Sequence, residues 1–402
     1  MLTTKPIIIR IPGDFWDSHI YSSQLYLFGS DKSLQKVDWR ALIASHPDFQ
    51  NLSIAAHGTL VDAGLFYRDD SGLFLADPVV KGHVESCFSA IDGVEVEVDL
   101  NKLAKVSHRD SPFPNLHTDC EIYHHRLYAG MPEGLFLANT DAEDGASKLW
   151  DAGVFGLKAS ESYGQVAVAA ADEGLWEFSV KFGRRDGTPS LPKVTTKNFC
   201  TSCDWGDQSV YAWSASAEGF LASYYTQRFR GENVPQRIFD RAIGANELSH
   251  SARTFWGSHG RAYTLDDHGN LEVLDYDSKA AGKARRKSEK NLSVQPVAVA
   301  QPLQHRSTKP RSIGGQIGQR KPVAVAAAPF GTVIQFDNSL SVVRSDGELT
   351  TIAGDIVTWR VFPRSLHYAN QLHVVFEDRL EIYAFLHDYF VDQESKEYGY
   401  SV

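Results

Sequence analysis

Arg126-Leu127-Tyr128-Ala129, Met131-Pro132-Glu133-Gly134 and Leu135-Phe136-Leu137-Ala138 read as an apolar strand, a tight polar turn and a second apolar strand. Glycine closes the turn where a hairpin needs a positive φ. The pattern returns at 165–170, Asp172-Glu173-Gly174 and 175–180. Counting outward, second strands open at Ser33-Leu34, Gly72-Leu73-Phe74-Leu75-Ala76, Gly134-Leu135, Gly174-Leu175-Trp176, Gly219-Phe220-Leu221-Ala222, Asn270-Leu271-Glu272-Val273, Ser339-Leu340-Ser341-Val342 and Arg379-Leu380-Glu381-Ile382. Their leading apolar positions are 34, 73, 135, 175, 220, 271, 340 and 380, so the steps are 39, 62, 40, 45, 51, 69 and 40.

Eight hairpins at a step near 40 residues resemble the β-propeller repeat superfamily. The resemblance implies an all-β ring of 7–8 four-stranded blades in a single domain over 1–402. Small residues on both faces of Val166-Ala167-Val168-Ala169-Ala170-Ala171 suit blades that are packed on two sides. The resemblance stops at architecture. Trp16-Asp17 and Trp150-Asp151 do not occupy equivalent blade positions, as WD repeats require, and the paired glycines of kelch blades are missing.

The last unit offers three strands (357–362, 372–376 and 380–385) and then a polar tail, expected at 388–402. Pro6-Ile7-Ile8-Ile9-Arg10-Ile11 is a lone strand before the first unit. Pairing it beside the last strand would close the ring and remove an edge. Two steps are too long. The 62-residue step contains Val94-Glu95-Val96-Glu97-Val98, which alternates as an extra strand does. The 69-residue step contains a basic stretch, 279–321, rich in Gly and Pro and expected as an inserted loop.

Charge is distributed unevenly. The stretch 279–321 holds eleven bases against Glu289, a net +10, so the rest carries −20 within a total of −10. Hydrophobic content of 43% supplies a large core, and no apolar run reaches the roughly 18 residues of a membrane span. The first ten residues lack the apolar stretch of a signal peptide, and four scattered cysteines do not make a disulfide framework. A cytoplasmic protein without membrane partners is expected.

Candidate chemistry is sparse. Cys200-Thr201-Ser202-Cys203 has zinc-ligand spacing but no second ligand pair nearby, so the thiols are expected to be structural. His117, Cys120, His124 and His125 cluster in sequence, yet in a strand His124 and His125 would face opposite ways. Gly314-Gly315-Gln316-Ile317-Gly318 lacks the flanking strand and helix of a phosphate loop. Asp69-Asp70, Glu143-Asp144 and Asp172-Glu173 fall where blade turns are expected. No catalytic, cofactor or metal residue is singled out. Lys283, Arg285, Arg286, Lys287 and Lys290 form the one group of candidate partner-binding residues.

The expected function is a non-enzymatic scaffold for protein–protein interaction within a larger complex. One alternative is an enzyme or ligand-binding propeller with a site at the mouth of the central channel. Another is a subunit contacting nucleic-acid phosphates through the basic stretch. The channel wall discriminates: His, Asp and Arg converging on the axis favour a ligand, while small residues such as Ala167 and Ala169 filling it favour a scaffold.

Overall fold

In the computed structural model the chain is a seven-bladed β-propeller. The structure describes residues 5–385 except 68, 103–105, 142–144, 161–163, 181–188, 228–235, 249–253, 259–260, 276–310, 313–316, 318–320 and 345–346. Each blade is a four-stranded sheet whose first strand lies innermost. These innermost strands are Phe15–Tyr21, Asp119–Tyr123, Gly156–Ala159, Ser202–Gly206, Thr254–Ser258, Ala324–Ala328 and Ile356–Val361, in blades 1 to 7.

Blades bury their faces only against one another, and the core divides accordingly. Seven apolar clusters lie between neighbouring blades, such as Leu127 and Phe136 against Tyr26 and Phe28 between blades 2 and 1, and the one between blades 7 and 1 also takes in Trp39, Phe49, Leu60 and Ile91. Ala167 and Ala169 belong to this packing. They lie in the second strand of blade 3, against Cys200, Cys203 and Trp205 of blade 4. Tight turns let the sheets pack closely. At Gly174 (φ +86°) a Cβ would stand 2.2 Å from the Thr196 carbonyl oxygen.

The ring closes as its ends require. Ile7–Pro12 pairs antiparallel with Arg379–Ala384, from Ile7 opposite Ala384 to Pro12 opposite Arg379, and becomes the outer strand of blade 7. Its other edge carries Glu95–Glu97 in parallel. Glu381 ties the seam by accepting from Arg10 Nε at 3.0 Å and Arg379 Nε at 2.9 Å.

The eighth hairpin is not there. Gly72-Leu73-Phe74-Leu75 belongs to the helix Asp69–Leu75, within a mainly helical insertion between the strands Ser33–Asp38 and Val106–Asp110 of blade 1. Among the described residues of the insertion no strand precedes it for pairing, and the 3-10 turn Leu65–Tyr67 stands there instead. Asp77 then caps the next helix, Pro78–Ile91, by accepting from Val79 and Val80 N–H. The insertion accounts for the 39- and 62-residue steps together, since position 73 starts no strand. The 69-residue step runs from blade 5 to blade 6, and its extra length lies before the outer strand of blade 5, Arg311–Ser312, which pairs with Glu272 and Val273.

Candidate functional site

The insertion docks over one end of the channel, where the innermost strands finish. Ala63 and Gly64 N–H donate to the carbonyls of His367 and Leu366 at 2.9 and 3.1 Å. Asn370 Nδ2 and Gln371 Nε2 donate to the carbonyls of Thr59 and Leu60, each at 2.8 Å. Asp62 meets His367 Nδ1 at 3.1 Å. Between this roof and the ring lies a chamber of about 550 Å³. Blades 1, 2, 3 and 7 form its walls through His19, Tyr21, Glu121, Tyr123, Lys158 and Phe362, and the insertion adds Arg40, His57 and Asp62.

Two arginines from blade 7 cross below the chamber. Arg360 Nη1 donates to the Cys120 carbonyl at 2.7 Å, and its Nη2 meets Asp17 Oδ2 at 2.6 Å and Asp119 Oδ1 at 2.9 Å. Asp119 belongs to blade 2, so this pair passes over blade 1. Arg364 Nε donates to the Ala159 carbonyl of blade 3 at 2.8 Å, and its Nη1 pairs with Asp204 of blade 4. Blades 7 and 4 are not neighbours in either direction, so their contact runs through the channel.

Burial sets the charge states. It would raise Asp17, but Arg360 and His117 outweigh it and hold the carboxyl below the usual carboxylate range. Burial, followed by Arg360, pushes His19 well below its ordinary value and His373 down to about 3, so both rings are neutral. Glu121 goes the other way: burial raises it, and Lys158, Arg364 and Arg360 only partly draw it back.

Asp17, His117 and Cys120 bring three metal-type ligand atoms within 4.8 Å of one another. The arrangement does not fit a cation. Arg360 Nη2 is 2.6 Å from the Asp17 carboxylate and 3.6 Å from Cys120 Sγ, so a fixed positive charge stands where a metal would sit. His117 Nε2 is engaged with Asp17 Oδ2 at 2.9 Å. The sequence reading sets His124 and His125 in a strand, and the structure corrects this. They form the tight turn after Asp119–Tyr123, with φ of 51° and 59°. Cys200 and Cys203 are buried free thiols between blades 3 and 4, and burial pushes Cys200 up to about 12. Lys283, Arg285, Arg286, Lys287 and Lys290 lie outside the described residues, as does the tail 388–402.

Sequence reading did not single out Asp17, Asp119, Glu121, Lys158, Asp204, Arg360 or Arg364. A signal existed: ionisable residues recur inside the short first strands, as in Asp119-Cys120-Glu121, Leu157-Lys158-Ala159 and Cys203-Asp204-Trp205. Hairpin counting aligned the second and third strands and passed over the first.

No family model matches the chain, and no curated protein matches it. Among solved structures it is similar to the computationally designed Ika8 protein, at 7% identity over 95% of this chain and 99% of that one, with a TM-score of 0.42. A likeness of that degree carries no argument about function.

Proposed function

We propose that this propeller binds a small polar molecule in the chamber at the channel mouth. One observation carries the reading. Glu121 and Lys158, of opposite charge, line the same chamber, and among the described residues neither charged group has a hydrogen-bond partner. Charged groups partly withdrawn from water are normally hydrogen-bonded, so two that are not, at 14% and 19% side-chain exposure beside a cavity, mark where a ligand can supply the partners. The channel wall supports the same reading. His, Asp and Arg converge there, while Ala167 and Ala169 pack between blades.

The test is thermal-shift screening of a metabolite collection against the protein and a Leu366→Trp variant. Leu366 is 59% exposed at the chamber edge, so tryptophan can close the mouth without disturbing the core. Compounds should stabilise the parent and not the variant. Equal stabilisation of both places binding elsewhere and overturns the reading.

Protein docking is the second reading and rests on a separate observation. Leu73, Phe74 and Val79 on the insertion are 78%, 72% and 81% exposed, an unusual density of large apolar side chains in so short a segment. Phe74→Ser with Val79→Ser should abolish capture of a protein partner while leaving melting unchanged. Undiminished capture removes this surface from consideration.

A further inference from the structure

We infer that the molecule held in the chamber is a zwitterion of the amino-acid type, its ammonium received by Glu121 and its carboxylate by Lys158; this rests on the ligand reading above. The inference comes from asking which charged groups on the chamber floor are already engaged. Arg360 is committed to Asp17, Asp119 and the Cys120 carbonyl, and Arg364 to Asp204 and the Ala159 carbonyl. Asp119 also accepts from Leu157 N–H at 2.8 Å. Arg360 Nε is buried with no partner among the described residues, but the charges of both guanidiniums are already balanced by Asp17, Asp119 and Asp204, which in turn need no further cation.

On the floor one group of each sign remains, with Arg40 and the His367-paired Asp62 facing it from the insertion. Among the described residues the nearest basic nitrogen to Glu121 is His19 Nε2, 3.9 Å from Oε1, and that ring is neutral. The nearest carboxylate oxygen to Lys158 Nζ is Asp119 Oδ2, also at 3.9 Å and beyond hydrogen-bond range. His19 Nδ1 is buried with no partner, so the adjoining wall contributes a further unsatisfied polar atom. A simple anion would satisfy Lys158 and leave Glu121 confronting it. A simple amine would satisfy Glu121 and crowd Lys158. A molecule with both charges answers both groups, as charge-assisted hydrogen bonds require of a partly desolvated site. Tyr21, Tyr123, Phe362 and Tyr368 surround the rest of the chamber and suit an apolar or aromatic body.

Two analogue series test this on the full chain by calorimetry at neutral pH. One compares tyrosine with tyramine and 3-(4-hydroxyphenyl)propionate; the other compares norleucine with pentylamine and hexanoate. In at least one series the zwitterion should bind roughly tenfold or more tightly than either single-charge analogue, the loss expected for one charge-assisted hydrogen bond. Glu121→Gln should erase the preference over the acid, Lys158→Met the preference over the amine, and Leu366→Trp should block every probe. If a single-charge analogue matches its zwitterion and Leu366→Trp still blocks it, the chamber stands and the zwitterion assignment falls. If no probe of any charge class binds, and none of the broader collection does, both fall together. The analogue comparison on the parent protein decides the matter even if a floor variant fails to fold.

Discussion

Arg364 of blade 7 is joined to Asp204 of blade 4 through the central channel. Both side chains are largely buried, at 12% and 14% exposure, so each is the other's main compensation for lost water. Removing one partner of a buried pair strands the other charge and costs about 3–5 kcal/mol. Arg364→Met and Asp204→Leu should each fall in that range by urea unfolding. The double variant should cost less than the two together by at least about 1 kcal/mol. Simple additivity would show that the pair is not coupled.

Deleting residues 1–12 should remove the outer strand of blade 7 and bare the edge at Arg379–Ala384. The truncated protein should melt well below the parent and associate, because an unpaired strand edge recruits other chains. A truncated monomer with the parent's melting temperature would mean that the seam contributes nothing.

Stability should decline as pH falls below about 6.5, and the sign follows from the buried histidines. His373 titrates near 6.5 when unfolded and at about 3 in the fold, so in between the unfolded chain binds the extra proton. Its contribution is complete above the unfolded value and is lost on acidification, by about 1.4 kcal/mol per pH unit. His19 acts in the same direction. Glu121 is raised instead, so its protonation partly offsets the loss at the acid end. Urea midpoints from pH 7 to 4 should fall, and His373→Gln should flatten the slope; an unchanged slope refutes the assignment.

Cys200 and Cys203 sit in an apolar seam between blades. Replacing Cys203 with Ser buries a hydroxyl there and should cost about 1–3 kcal/mol, whereas Cys203→Ala should cost less. Neither should alter zinc content, which should be negligible by metal analysis. One zinc per chain, lost in the double serine variant, would reverse this view.

The basic stretch offers a prediction about partners. Arg285, Arg286 and Lys287 replaced by Ser should leave melting unchanged and weaken any acidic partner, protein or nucleic acid, with a steep dependence on salt. Binding unaltered at low salt would point to the blades or the insertion instead.

How much of this was legible beforehand is illustrated by one pentapeptide. Gly-Leu-Phe-Leu-Ala occurs at 72–76 and again at 134–138. The second copy follows the strand Arg126–Met131, completes its hairpin and buries Leu135 and Phe136. The first has no such strand before it, lies mostly in a helix, and leaves Leu73 and Phe74 in water. Five residues do not carry their own partner, so the repeat count overshot by one while step length and seam were readable. The chamber was less legible for a related reason. Arg364 and Asp204 are 160 residues apart and meet only because the ring closes. Their spacing holds no local trace of that meeting.

The ring's seam also has a timetable. Ile7–Pro12 is made long before its antiparallel partner Arg379–Ala384. At about 5–20 residues per second the stretch between them takes roughly 20–70 s to synthesise. Throughout that interval an apolar clasp waits for its other half. Glu95–Glu97, which covers the opposite edge in parallel register, is available after only about a quarter of it. The insertion that roofs the chamber is thus the earliest berth for the nascent clasp. A chain lacking 39–102 would carry Ile7–Pro12 bare on both edges until Arg379–Ala384 was made.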